Sequence, residues 1–283
     1  MTGELHNRTR RSASIPRSLL RRGRVLEVPL YYLLRASDLA REGLDRSGSH
    51  RFADHIYRGM PSGRGAFGRW LDARLLALPA TQAFRFRYSA VRDALTEFLL
   101  DRLAGADEPA VIDVLSVPCG IPRELVEAAA AVRARGGEGI GRLDRVVFHG
   151  LDLDPEVLDE ARAFAAARGL RGFETHLGDA LERASYPAAA DFIGCTGLGD
   201  FLDDGALARL YAVLFDVLRP GGVLVTSGME RRRGADYLLR LAEIRTRYRS
   251  AAELVRLVER LPFREVTARR DGTGIQTVVT ARR

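Results

Sequence analysis

The period of the hydrophobic positions changes near residue 109 of the chain. Before it, apolar residues recur at helical spacing, as in RYSAVRDALTEFLLDRLAG, where Val91, Leu95 and Leu99 share one face. After it, apolar runs such as AVIDVLSV alternate with amphipathic segments such as RELVEAAAAVRAR. This alternation predicts parallel strands joined by crossover helices that cover both faces of a sheet. We therefore predict a helical region over residues 25–108 and an α/β domain over residues 109–283.

The two ends of the chain depart from this alternation. FREVTARR and IQTVVTARR, joined by a DGTG turn, predict a closing hairpin that adds an antiparallel strand to the sheet. Residues 1–24 contain seven arginines and one glutamate, and we expect them to form a basic flexible arm.

Within the helical region, the Gly, Ser and Pro content of residues 47–68 indicates a loop that could close over a site as a lid.

Composition narrows the class of protein. The 283 residues are 46% hydrophobic and 29% charged, as in globular domains, and their length allows a full core. The sequence contains neither a long apolar run nor a secretory pattern, so we expect no membrane insertion. Two cysteines make no disulfide framework. All basic residues are arginine, which is typical of GC-rich coding, and we expect a bacterial, cytoplasmic protein.

Candidate binding residues follow the strands of the predicted sheet. In open α/β sheets, ligands bind beyond the carboxyl ends of the strands. A carboxylate there can accept two hydrogen bonds from a ribose diol, and a second can accept one from a purine amino group. Asp152 fits the first role and Asp179 the second, whereas Asp154, followed by proline, also fits a helix cap. The alternative for both carboxylates is a turn-capping role.

The segments SVPCG, GLDLDP, GDA, ADFIGCTG and LRPGGVLV, in this order, resemble the class I S-adenosylmethionine-dependent methyltransferases. The resemblance covers residues 110–283. It implies a Rossmann-like, seven-stranded, mostly parallel sheet with the last strand antiparallel, and S-adenosyl-L-methionine as cofactor. Residue by residue, it implies that Gly120 is a retained loop glycine, Asp152 the ribose-binding acid and Asp179 the adenine-contacting acid. The further candidates for cofactor binding are Pro118, Cys119, Leu153, Gly178, Ala180, Thr196 and Tyr88.

The first of these loops departs from the family pattern. Members of the family commonly carry an acid where Ser116 stands, and glycines where Pro118 and Pro122 stand. Proline has no N–H donor and a fixed φ, so neither proline can bind a ligand as a glycine amide would. The departure removes one usual contact near the methionine end of the cofactor.

The catalytic residues are less defined, because methyl transfer needs mainly positioning and, for hydroxyl acceptors, a base. The loop after the fourth strand lacks an Asn-Pro-Pro-aromatic signature and offers Thr196 and Asp200. His55 lies in the N-terminal loop and is a further candidate. Asp200 fits equally a helix-capping role. No spacing of metal ligands is evident, and we expect no metal.

We expect an enzyme that methylates a small molecule, of the kind made in secondary metabolism, with no nucleic-acid partner. The sequence does not define an oligomeric state. One alternative uses the same cofactor for aminocarboxypropyl transfer, or cyclises its side chain and releases methylthioadenosine. Others are an RNA-modifying methyltransferase that uses the basic arm, and a non-catalytic homologue.

Overall fold

The computed structural model describes residues 15–45, 49–104, 111–135, 140–232 and 246–283. The described residues form two compact units, and the division falls inside one long helix. The first unit holds the described residues up to Arg85. The second holds Phe86–Arg231 and the residues from Arg247 onward.

The first unit is helical. Its helices are α1 (Ile15–Arg21), α2 (Glu27–Leu34), α3 (Asp38–Asp45), α4 (His50–Arg58), α5 (Gly65–Leu76) and the start of α6 (Pro79–Ala104). Their apolar faces share a core that includes Ile15, Tyr31 and Ile56. No helix in the described ranges combines the length and the apolar character that a membrane span requires.

Two segments of this unit differ from the sequence-based expectation. Residues 15–21 of the expected flexible arm form α1, because Ile15 and Leu19, one helical turn apart, are both buried in the core. Residues 1–14 lie outside the described residues. Part of the expected loop forms α4, whose start is capped by the Ser49 side chain and whose end is capped by Gly59 at a φ of +64°. The serine and glycine that indicated a loop are the caps of this helix.

The second unit contains a seven-stranded sheet. Its strands are β1 (Ile112–Ser116), β2 (Val146–Asp152), β3 (Phe173–Leu177), β4 (Ala190–Cys195), β5 (Leu218–Met229), β6 (Arg264–Arg270) and β7 (Gln276–Arg282). Their order is β3-β2-β1-β4-β5-β7-β6. β1 to β5 pair in parallel, and β7 is antiparallel to both neighbours. The predicted fold class and closing hairpin are confirmed.

Helices cover the two faces of this sheet through separate cores. The remaining helices are α7 (Arg123–Ala134), α8 (Pro155–Ala167), α9 (Asp204–Val217) and α10 (Ala251–Val258). On one face, Leu95 and Leu99 of α6 pack with Val114 and Phe192. On the other face, α9 and α10 pack on Leu115 and Ile193. The connection from β3 to β4 contains only a short 3₁₀ turn, Arg183–Ser185.

A buried carboxylate joins the helices of the first unit. Asp72 on α5 accepts hydrogen bonds from the Ser37 hydroxyl, the Leu39 and Ser62 backbone N–H groups and His55 Nε2, the last at 2.8 Å. Burial by itself raises the pKa of this carboxyl, but these hydrogen bonds outweigh it and lower the pKa to about 2.

Replacing Asp72 by alanine is expected to lower the free energy of unfolding of the first unit by about 3 kcal/mol, because buried donors lose their acceptor. The fluorescence of Trp70, the only tryptophan, follows this unfolding in denaturant. The matched control is Asp38→Asn, whose surface pair with Arg41 is worth less than about 1 kcal/mol. Equal losses in the two variants would contradict the role of Asp72.

The same carboxylate predicts a pH dependence. Because its pKa is lower in the folded protein than its ordinary value of 3.8, its contribution is present above that pH and is lost as the pH falls towards about 2. The stability difference between wild type and Asp72→Asn is therefore expected to shrink over this interval. A difference that stays constant would show that the folded protein does not hold Asp72 ionised.

Candidate active site

The loop after β1 is docked on the end of β2 through its backbone. The Cys119 N–H donates to the Leu151 carbonyl at 2.8 Å. This approach requires Gly150, because a Cβ there would lie 2.5 Å from the Cys119 sulfur and 2.9 Å from the Phe173 ring. Pro118 is exposed, and a cis peptide bond precedes it. The loop therefore reaches β2 without the glycines that the resemblance led us to expect.

Asp152 lies where three loops meet. Its Oδ2 accepts the Gly120 N–H at 3.2 Å and its Oδ1 accepts the Asp154 N–H at 3.2 Å. Its backbone carbonyl accepts the Gly178 N–H at 3.0 Å. Gly120 has a φ of +52°, a conformation that favours glycine. Asp152 is half-buried, so it is both held in place and open to a ligand.

The other predicted binding residues of these strand ends lie beside Asp152 or follow β3. Leu153 is half-buried, and Asp154 caps α8 by accepting the Glu156 N–H at 2.9 Å, as predicted. Asp179 is half-buried and accepts the Leu181 N–H at 2.9 Å. Ala180 is fixed through its carbonyl, which accepts the Tyr186 hydroxyl at 2.7 Å. The structure thus brings the loops after β1, β2 and β3 to one edge of the sheet.

An acid that the sequence analysis missed lies at the first loop. The Ser116 hydroxyl donates to Glu124 Oε1 at 2.6 Å. Glu124 is in the first turn of α7, and burial raises the pKa of its carboxyl. An acidic residue in the first turn of a helix ordinarily complements the helix dipole, so its type and position carried no signal of a binding role.

Tyr88 on α6 lies close to this acid. It is buried, and the pKa of its hydroxyl is raised by burial first and then by Glu127 and Glu124. The Arg92 guanidinium lies 5.8 Å from the centre of its ring. Tyr88 therefore sits in a polar group with the start of α7, on the side of the first loop.

Asp200, a predicted base, is buried, with both oxygens oriented by protein groups. Oδ1 accepts the Met229 N–H at 3.0 Å, and Oδ2 lies 3.5 Å from Arg87 Nη1. Burial raises the pKa of this carboxyl to about 6, while Arg87 and the Met229 N–H act in the opposite direction. These contacts join the loop after β4 to the end of β5 through Met229 and to α6 through Arg87. They favour a positioning role for Asp200.

The other two predicted catalytic residues have different surroundings. Thr196 directly follows β4 and is half-buried, so it lies at the same edge of the sheet as Asp152. His55 lies in the first unit, where it is buried and hydrogen-bonded to Asp72. The contacts of His55 are those of a residue that holds α4 to α5.

The residues at this edge fit an adenosyl cofactor. A half-buried carboxylate follows each of two adjacent strands, and a glycine with positive φ lies against the first. A desolvated acid beside the first loop offers a partner for an ammonium group. Together, these acids can bind a ribose diol, an adenine amino group and an ammonium group at one end of a parallel sheet.

Comparison with known proteins identifies the family to which the chain belongs. Residues 39–283 match the family described as "Putative methyltransferase". The chain belongs to this methyltransferase family, and its sheet is that of the class I S-adenosylmethionine-dependent methyltransferases. The prediction of this class is confirmed, and membership of it assigns S-adenosylmethionine as the cofactor.

Individual proteins resemble this chain in sequence or in fold. Over 149 residues the chain is 35% identical to aklanonic acid methyltransferase from Streptomyces sp. (strain C5), a match that spans 50% of this chain and 61% of that protein. A possible exported protein from Bordetella parapertussis has a TM-score of 0.72 at 25% identity, over 91% of this chain and 87% of that one. Magnesium protoporphyrin IX methyltransferase from Synechocystis PCC 6803, solved with its cofactor bound, shares the fold at a TM-score of 0.52 and 14% identity, over 88% and 98% of the two chains.

Both cysteines are expected to be unreactive in the folded protein. Cys119 and Cys195 are buried, and burial raises the pKa of the first thiol well above its usual value and that of the second to about 12. A thiol reagent such as dithionitrobenzoate at neutral pH should label neither in the native protein and both after denaturation. Rapid labelling of Cys119 in the native protein would instead indicate a nucleophilic cysteine in the loop.

Proposed function

We propose that this protein is an S-adenosylmethionine-dependent methyltransferase that acts on a small molecule. The observation that carries the proposal is the pair of half-buried carboxylates, Asp152 and Asp179, at the ends of adjacent strands in a chain of this family. A small-molecule acceptor is supported by the relative that is named for aklanonic acid. The expected arrangement of domains, with residues 25–108 beside the substrate, remains part of this proposal.

Each binding residue has a role set by its chemistry. When bound, the cofactor supplies a methyl group on a positively charged sulfur. Asp152 accepts hydrogen bonds from the ribose diol, and Asp179 accepts one from the adenine amino group. Gly120 allows the loop to approach the cofactor closely. The remaining predicted contacts are Pro118, Cys119, Leu153, Gly178, Ala180, Thr196 and Tyr88.

We propose that Glu124 replaces the acid that the family pattern has at the position of Ser116, at the end of β1. Ser116 stands at the position where the family pattern has an acid, and its hydroxyl contacts the Glu124 carboxylate. A carboxylate with a raised pKa is stabilised by a cation brought next to it. The methionine ammonium of the cofactor is such a cation. In this arrangement Ser116 orients Glu124, and Glu124 supplies the charge.

The acceptor side involves Thr196 and Asp200. Asp200 holds the loop after β4 against β5 through Met229 and against α6 through Arg87, which orients Thr196 at the edge of the sheet. The assignment of Asp200, Thr196 and His55 to the catalytic step stays a prediction. Their contacts favour positioning roles for Asp200 and His55.

The by-product of the reaction tests the proposed function. Incubation with S-adenosylmethionine and an extract of small molecules is expected to yield S-adenosylhomocysteine, identified by mass spectrometry. Asp152→Ala serves as the control. This variant should neither bind the cofactor nor form S-adenosylhomocysteine. Release of methylthioadenosine would overturn methyl transfer in favour of a reaction at the aminocarboxypropyl group.

Calorimetry with truncated ligands tests Glu124. Glu124→Gln is expected to bind S-adenosylmethionine and S-adenosylhomocysteine about 10- to 100-fold more weakly, the loss of one charged contact. Methylthioadenosine lacks the amino acid part, so its affinity should not change. Asp152→Asn should weaken the binding of all three ligands, because each contains the ribose. Two results would contradict the proposed role of Glu124 as the partner of the ammonium group. One is a Glu124→Gln variant that binds S-adenosylhomocysteine as tightly as wild type does, and the other is an equal loss of affinity for methylthioadenosine.

A further inference from the structure

A group of metal-ligating side chains lies on the sheet, apart from the strand ends. His149 on β2 and Glu174 on β3 are paired in register, and His176 follows Glu174 by two residues, so all three lie on one face. One ligand atom from each lies within 4.8 Å of the others. His149 is buried, whereas the Glu174 side chain is 62% exposed, so the group is reached from solvent.

The distances suit a tetrahedral zinc ion. His149 Nδ1 lies 3.0 Å from His176 Nε2 and 3.6 Å from a carboxylate oxygen of Glu174. Zinc bonds to nitrogen and oxygen are about 2.0–2.2 Å long, so two ligands of a tetrahedral ion lie about 3.3–3.6 Å apart. The separation of the two histidine nitrogens is about 0.3 Å shorter than this range, and the separation of His149 from Glu174 falls at its upper end.

The surroundings of His149 match those of a metal-bound histidine. Its Nε2 lies 3.0 Å from Asp113 Oδ1, on β1. The other oxygen of Asp113 accepts a hydrogen bond from Arg219 Nη2 at 2.6 Å, and this contact orients the carboxylate. A carboxylate that accepts the N–H of one ring nitrogen leaves the lone pair of the other directed at the metal. Here that other nitrogen is Nδ1, the atom that faces His176 and Glu174.

The topology explains why this group can hold an ion. Between β3 and β4 the described chain contains only the 3₁₀ turn Arg183–Ser185, where a longer crossover helix would ordinarily cover this part of the face. The ligands come from two strands, and the spacing of His149 from the other two ligands follows no short metal motif. The sequence pattern alone therefore does not indicate this metal site.

We propose that His149, Glu174 and His176 form a zinc site with three protein ligands and one open position, supported by Asp113. Nitrogen and carboxylate donors in this number suit Zn²⁺. His149 lies three residues before Asp152, which ends β2, and His176 lies three residues before Asp179, which follows β3. The ion therefore joins the two strands that carry the predicted ribose and adenine contacts.

Zinc titration of the metal-free, untagged full-length protein tests the site. Calorimetry with ZnCl₂ is expected to show one site per chain and a rise in Tm on saturation. Glu174→Gln and His176→Asn should lose both effects, while the controls Glu265→Gln and His50→Asn, which change the same residue types elsewhere, should keep them. Asp113→Asn should weaken binding about 10- to 100-fold.

Cobalt(II) provides an independent readout, because a tetrahedral site with nitrogen ligands gives intense visible absorption, and this absorption should vanish in His176→Asn. Absence of stoichiometric binding by wild type would overturn the proposal and assign the 3.0 Å contact to a direct hydrogen bond between two histidines. Undiminished binding by both Glu174→Gln and His176→Asn would place the ion elsewhere. None of these measurements depends on methyl transfer.

Discussion

The site depends most on the docking of the loop after β1 against the end of β2. Cys119 and Gly120 donate their backbone N–H groups to Leu151 and Asp152, and the absence of a Cβ at Gly150 leaves room for the Cys119 sulfur. Backbone hydrogen bonds depend little on side-chain type, so the loop holds its position with prolines on both sides. This contact sets where the first loop stands relative to Asp152.

Charge at this site is distributed differently from the family pattern. The acid usual at the end of the first strand is replaced by Ser116, whose hydroxyl contacts Glu124 on the following helix. A carboxylate there is partly desolvated, and a ligand cation would complete its environment. The same principle applies to Asp113, whose charge is balanced by Arg219 while it orients His149. In both places a second group fixes the direction of a half-buried acid.

The sequence predicted the second unit much better than the first. In the second unit, long apolar strands and amphipathic helices alternate, and the burial of whole strands makes that pattern strong. In the first unit, α4 begins at Ser49 and ends at Gly59, residue types that occur in loops and in helix caps alike. Similarly, the arginines around α1 obscured Ile15 and Leu19, whose burial follows from packing against other helices. Local composition alone does not distinguish a loop from a capped helix, or a flexible arm from a helix with two buried residues.

The sequence by itself determined the class of fold, the order of the strand-end loops and the candidates Asp152 and Asp179, because these depend on periodicity and on residues adjacent in the chain. Tertiary structure alone decided the pairing of Ser116 with Glu124 and the anchoring of Asp200 by Met229 and Arg87. It also decided the meeting of His149 with Glu174 and His176. The physical reason is that strand register and helix docking bring together residues whose separation in sequence carries no signal.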